Sequence, residues 1–278
     1  MRKRILVIVV WMFCIGNFLL AQKKETTATK NVSVVDTSFF IPQLNRHRRI
    51  WIYLPAGYST SKRKYPVIYM HDGQNVFDDK TAFAGEWGVD EALDTLGMLV
   101  GESIIVAIDN GGEKRINEYS PYDMDKYGKG EGIQYVDFIV KNLRPFINKN
   151  YRTEKSRKHT FILGSSMGGL ISMYALLKYP KVFGAAGVFS PSFWIAPQLK
   201  ADVIRRSKKT KGKIYLYAGK QEGETMVPDL LTMFNLLHQH SKAKLTTVIR
   251  SEGMHNEASW RKEFPLFYKW LLINHAGR

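Results

Sequence analysis

Cysteine is almost absent. Cys14 is the only one in 278 residues, and it lies inside an apolar N-terminal stretch. A chain trimmed of that stretch has no disulfides, no thiolate chemistry and no thiol to lose in an oxidising compartment. Acidic residues are also scarce: 41 Lys and Arg face 25 Asp and Glu, a formal charge of +16. Such a balance suits nucleic acid, anionic lipid or an acidic substrate. The positives, however, come in scattered groups at 46–49, 62–64 and 205–209, and no nucleic-acid motif accompanies them. A solvated basic surface is therefore expected, with no nucleic-acid partner. Internal repeats, low-complexity tracts and long linkers are missing as well. What remains is enough for one sizeable α/β domain and demands no second.

Residues 1–21 read as a secretory signal peptide. Arg2, Lys3 and Arg4 form a basic start, an apolar stretch runs from Ile5 to Leu20, and cleavage fits after Ala21. Gly16 and Asn17 interrupt the run, which falls short of the roughly 20 apolar residues that span a bilayer. Cleavage is favoured over anchoring, which implies a periplasmic or secreted protein with no stable membrane anchor. Without the three basic residues of the leader, 38 positives face 25 acids, a balance of +13. Residues 22–30 read as a flexible polar lead-in, and 31–278 as the folded domain.

The chain is organised around KHTFILGSSMGGLISMYALLKYP, from Lys158 to Pro180. A short apolar strand (Thr160 to Leu163), a glycine-rich corner and a helix from about Gly169 follow one another, as a nucleophile elbow requires. Gly164-Ser165-Ser166-Met167-Gly168 fits G-x-S-x-G with Ser166 at its centre. Neighbours without a Cβ let strand and helix pass close together, and the helix start offers free backbone N–H groups to negative charge. A plain Gly-Ser turn would also fit five residues; the flanking strand and helix favour catalysis.

Elsewhere, strands and helices alternate. Strands are expected at Val32 to Phe40, Arg49 to Leu54, Pro66 to Met70, Ser103 to Ile108, Phe183 to Phe189, Lys213 to Ala218 and Leu245 to Arg250. Helices are expected near 89–96, 133–147, 197–206, 227–240 and 257–272. This pattern predicts an α/β fold, a mostly parallel sheet with helices on both faces. Its sites belong at the carboxyl ends of the strands. The long loop 109–130 is expected to be a functional surface.

Ser166, an acid and His255 occur in that chain order, each just after an expected strand. Serine needs a base to become nucleophilic, and His255 is the candidate. Glu222 is preferred as the acid that fixes its tautomer, with Glu224 in reserve on the same turn. Singly, a loop histidine and a turn glutamate are more often just surface; their shared topological place raises them. An oxyanion hole would use the backbone N–H of Met167 and of Gln74, with Gly73 allowing close approach. His71 and Asp72 are expected to shape that loop, and the other histidines to be incidental.

PVIYMHDGQNVFDD, RINEYSPY, GSSMGG, FSPSFW, YAGKQEGE and GMHNEASW together resemble the putative-esterase branch of the α/β-hydrolases, from about Arg49 to Trp270. That branch includes esterase D, carbohydrate esterase family one and the siderophore esterases. The resemblance implies Ser166 as nucleophile, His255 as base and Glu222 as third member, although feruloyl esterases of the branch more often carry Asp there. It also implies substrate contacts from Arg115, Glu118, Tyr119, Tyr122 and Trp194. The chemistry needs no cofactor and no metal, only an ester as a small molecule or on a polysaccharide. The implied activity is an exported serine esterase removing acetyl or feruloyl groups from carbohydrate. A catecholate trilactone (siderophore) esterase is the runner-up. A non-catalytic binding or acyl-transfer protein on the same fold is the reading of another class.

Overall fold

The computed structural model describes residues 25–273. The proposed leader, residues 1–21, lies outside them. The strands are β1 (Val32–Ile41), β2 (Arg46–Tyr53), β3 (Val67–His71), β4 (Ile104–Ile108), β5 (Thr160–Ser165), β6 (Ala185–Phe189), β7 (Lys213–Gly219) and β8 (Lys244–Arg250). The helices are α1 (Val89–Val100), α2 (Arg115–Tyr119), α3 (Gly132–Phe138), α4 (Arg144–Asn150), α5 (Met167–Lys178), α6 (Leu199–Arg206), α7 (Met226–His240) and α8 (Glu257–Ile273); a π-helical stretch, Ile139–Leu143, joins α3 to α4.

The eight strands form one sheet in the order β1-β2-β4-β3-β5-β6-β7-β8. β1, β2 and β4 pair antiparallel, and every pairing from β4 through β3 to β8 is parallel. The alternation of strand and helix is the cause: a parallel pair needs a crossover, and the crossover helices cover both faces. In β3, Val67 and Tyr69 face one core while Ile68 and Met70 face the other; in β5, Ile162 opposes Phe161 and Leu163. Helices α3 to α7 fill the first core, α1 and α8 the second. Helix α5 lies against β5 and β6 and is buried from Met167 to Leu177, so it is apolar on every side. Its N-terminus, directly after β5, is thereby held at the carboxyl edge of the sheet.

Two expectations change here. The lead-in is not free from Thr26 onward: Thr26 Oγ1 and Thr27 N donate to Asp78, Thr27 Oγ1 to Glu86 and Thr29 N to Asp90. Those carboxylates are buried and need donors. Loop 109–130 is surface only in part: Gly112, Glu113 and Lys114 are exposed, but the loop also contains α2, whose Glu118 and Tyr119 are fully buried.

Candidate active site

Ser166 sits at φ 57°, ψ −123°, a backbone conformation that non-glycine residues seldom adopt and that costs about 1–3 kcal/mol. The turn is fixed from β6: Ser166 N donates to Phe189 O (2.9 Å), and Ser192 N donates to Ser166 O (3.1 Å). The glycines are required by distance. A Cβ on Gly164 would meet the Gly168 backbone at 2.8 Å, and one on Gly169 would meet Phe189 O at 2.8 Å. Ser166 Oγ is hydrogen-bonded to Ser192 Oγ at 3.1 Å.

Ser166 and His255 border the same cavity, of about 570 Å³. His255 Nδ1 lies 2.8 Å from Glu222 Oε2. The Glu222 side chain is wholly buried, and its other oxygen accepts from Gly219 N (2.5 Å) and Ser190 Oγ (2.8 Å). Ser190, itself at φ 43°, accepts in turn from Trp260 Nε1 at 2.9 Å. The Trp260 ring also packs edge-on against the His255 imidazole, with centroids 5.3 Å apart. Glu222 and His255 are thus held from both sides. Glu224, on the same turn, is exposed.

On the opposite wall, Asp72 takes a left-handed conformation (φ 56°) after β3. Arg115 grips it through Nε (2.6 Å) and Nη2 (2.9 Å), and Asn110 Nδ2 adds a bond of 2.7 Å. Burial works to raise the Asp72 carboxyl; Arg115 and Asn110 outweigh it and hold it below its ordinary value. His71 is buried behind it, with Nδ1 at 2.9 Å from Tyr135 OH, and burial lowers its pKa to about 4. Both residues shape the loop. Gln74 borders the cavity, and its side chain accepts from Asn110 N at 3.1 Å. Gly73 is required by packing: a Cβ there would meet the end of β4 at 2.8 Å. The Met167 amide is the first of α5 and has no acceptor one turn back.

Of the expected substrate contacts, only Arg115 borders the cavity, with its guanidinium committed to Asp72. Glu118 is fully buried between Arg46 and Arg48 of β2. Tyr119 is buried and accepts from Asp72 N (3.2 Å), while Tyr122 donates to Asp202 (2.7 Å) at α6. Trp194 is 60% exposed outside the lining; the rim aromatic is Phe83, 94% exposed. Sequence reasoning missed Ser190, Ser192 and Trp260, although the serines immediately follow β6, at a strand end where sites gather.

A family model described as "Putative esterase" matches residues 41–270. The chain is 27% identical over 240 residues to the uncharacterised protein YbbA of Bacillus subtilis, covering 81% of this chain and 92% of that one. It is also 27% identical to the iron(III) enterobactin esterase of Dickeya dadantii, covering 83% of this chain but about half (53%) of the relative. Among solved structures, the BES protein of Bacillus cereus superposes with a TM-score of 0.73 at 21% identity, over 89% of this chain and 97% of that one. At this identity the likeness concerns the fold.

Proposed function

The chain belongs to the Putative esterase family and is a carboxylic-ester hydrolase; on that premise we propose that it is an exported serine esterase using Ser166, His255 and Glu222. The carrying observation is the His255–Glu222 contact at 2.8 Å on the rim of the cavity that Ser166 borders. Turning the Ser166 hydroxyl from Ser192 towards His255 lets Nε2 take its proton as Oγ bonds to the ester carbonyl carbon. Glu222 stabilises the imidazolium, and the amides of Met167 and Gln74 receive the oxyanion. As the tetrahedral intermediate collapses, the C–O bond breaks and the alkoxide leaves with the proton from His255. Water then repeats the sequence on the acyl-enzyme, releasing acid and restoring Ser166. The basic, apolar leader read at 1–21 supports export to the periplasm or beyond.

The substrate class we favour is acetyl or feruloyl groups on carbohydrate, supported by the aromatic lining of Phe83, Trp87 and Trp260. Likeness to the Dickeya enterobactin esterase supports a second reading, a catecholate trilactone. Initial rates on acetylated xylan, methyl ferulate and a catecholate trilactone separate the two. Ser166→Ala, a change at a part-exposed position, should abolish hydrolysis of 4-nitrophenyl acetate while leaving the far-UV circular dichroism intact. Persisting turnover in a clean preparation would exclude Ser166 as nucleophile.

A further inference from the structure

One carboxylate on the cavity wall stands outside the pairs described above. Glu257, the first residue of α8 and two places after His255, borders the cavity with Ser166 and is 9% exposed. Asp72 is neutralised by Arg115, and Glu222 faces His255. Glu257 has an amide partner instead: its Oε1 accepts from Asn75 Nδ2 at 3.1 Å. That amide is oriented from its other end, because Asn75 Oδ1 accepts from Phe83 N at 3.2 Å. A flipped Asn75 would set its NH2 against the Phe83 N–H, so Nδ2 stays on Glu257 and the carboxyl group stays an acceptor. A carboxylate has about four acceptor positions; Asn75 and the residue's own backbone N–H use two and leave the others for a ligand.

The surroundings define the ligand. Burial pushes the Glu257 carboxyl up and Asp72 adds to it; its own backbone N–H, Asn75 and the nearby His255 act against that without reversing it. A ligand hydroxyl donating to this carboxylate would relieve the burial cost, whereas a ligand anion would meet like charge. Phe83, Trp87 and Trp260 border the same cavity. An acceptor carboxylate beside aromatic rings suits a sugar, which presents hydroxyl donors at its edge and C–H groups on its face.

Resting on the ester-hydrolase reading above, we infer that Glu257, oriented by Asn75, is a specificity-determining residue that accepts a hydroxyl of the carbohydrate part of the ester and disfavours esters carrying an anion there. An acid in the first turn of a helix also stabilises the helix dipole. That role alone would change stability without changing the ranking of substrates.

The test is therefore a ratio. kcat/KM is measured for a mono-O-acetylated methyl β-xyloside, for cyclohexyl acetate (a ring without hydroxyls) and for a mono-O-acetylated methyl glucuronide, which carries a carboxylate. The wild-type protein should prefer the xyloside ester. Glu257→Gln should cut the xyloside-to-cyclohexyl ratio about tenfold, the worth of one hydrogen bond to a charged group. The change should fall chiefly on KM, and the glucuronide should gain relative to the xyloside. Glu257→Asp retracts the carboxylate but keeps its charge. It should lower the first ratio while retaining discrimination against the glucuronide, which keeps the test open if Glu257→Gln folds poorly. A wild-type protein without the preference, or ratios unmoved in both variants, would overturn the inference. Running 4-nitrophenyl acetate with wild type and Ser166→Ala alongside shows separately whether the ester-hydrolase reading has failed.

Discussion

Glu222→Gln has an outcome that the surroundings of the side chain dictate. Gly219 N, which can only donate, lies 2.5 Å from Glu222 Oε1, and Ser190 Oγ lies 2.8 Å from the same atom. The Ser190 hydroxyl receives Trp260 Nε1–H, so its own proton is directed to Glu222. A glutamine must therefore place its carbonyl oxygen on that side, since the opposite flip sets an NH2 against a backbone N–H. Its NH2 then faces His255 Nδ1, at a site where the carboxylate oxygen stood 2.8 Å away. Nδ1 becomes an acceptor, and the ring proton moves to Nε2, the nitrogen that in the proposed mechanism has to be bare to receive the Ser166 proton. A base locked in the wrong tautomer costs about 10⁴-fold in kcat, or about 5 kcal/mol of barrier. Both bonds to the carbonyl side survive, so thermal stability should change little. The assay is saturating 4-nitrophenyl acetate at pH 8, with melting followed by circular dichroism. Glu224→Gln, at an exposed position on the same turn, should stay within about twofold of wild type. A folded Glu222→Gln within about tenfold of wild type would refute both the assignment and the tautomer argument.

Ser190→Ala removes one donor from Glu222 and leaves the buried Trp260 N–H without its acceptor. It should cost about 1–3 kcal/mol in denaturant unfolding, and kcat should fall about tenfold while KM moves little. Unchanged kcat would show that Gly219 alone holds the acid. His71 gives a pH signature. Burial lowers its pKa to about 4, so between pH 6.5 and 4 the unfolded chain binds the proton and the folded chain does not. Stability is therefore unaffected by this group above pH 6.5 and falls as the pH drops through the window, the loss reaching about 3 kcal/mol at its lower end. His71→Gln, which cannot titrate, should show a correspondingly flatter fall in unfolding free energy from pH 6.5 to 4. Parallel curves for the two proteins would contradict a buried neutral His71.

Much of this arrangement was legible because its signals are local. The Gly164–Gly169 spacing, the apolar run before it and the helical run after it all lie between Thr160 and Lys178, and they place Ser166 on its elbow. Strand–helix alternation then brings the ends of β5, β7 and β8 to one sheet edge, which is why Glu222 and His255 could be named and do meet. Residues whose role is set by a distant partner were not legible. Trp260 meets Ser190 across 70 positions, and Asn75 meets Glu257 across 182. No periodicity encodes such pairs. Loop 109–130 was legible only in part: Asn110, Gly112 and Arg115 do border the cavity. Its length and polar letters suggest an exposed contact surface, but Glu118 answers Arg46 and Arg48, and Tyr119 packs with His71 and Tyr135. Glu118 and Tyr119 satisfy the interior, and the aromatic rings bordering the cleft are Phe83, Trp87 and Trp260.

The overall basicity of the chain does not extend into the cleft. Its formal charge is +16, yet the charged side chains bordering the cavity are Asp72, Glu257, Arg115 and the titratable His255. Arg115 is consumed by Asp72, and the nearby cations of β2 are consumed likewise: Arg46 and Arg48 by Glu118 and Glu131 between them, Arg49 by Asp109. Among the described residues, most of the other lysines and arginines lie at the surface, where salt screens them over about 8–10 Å. An anionic ester drawn to the surface by that surplus would meet, at the reacting centre, a wall whose unneutralised charge is negative. Selection at the site is then governed by Glu257 and the aromatic rings, and it runs against the long-range field. A neutral, hydroxyl-bearing ester avoids the conflict, because it is indifferent to the surplus outside and can donate to the carboxylate within.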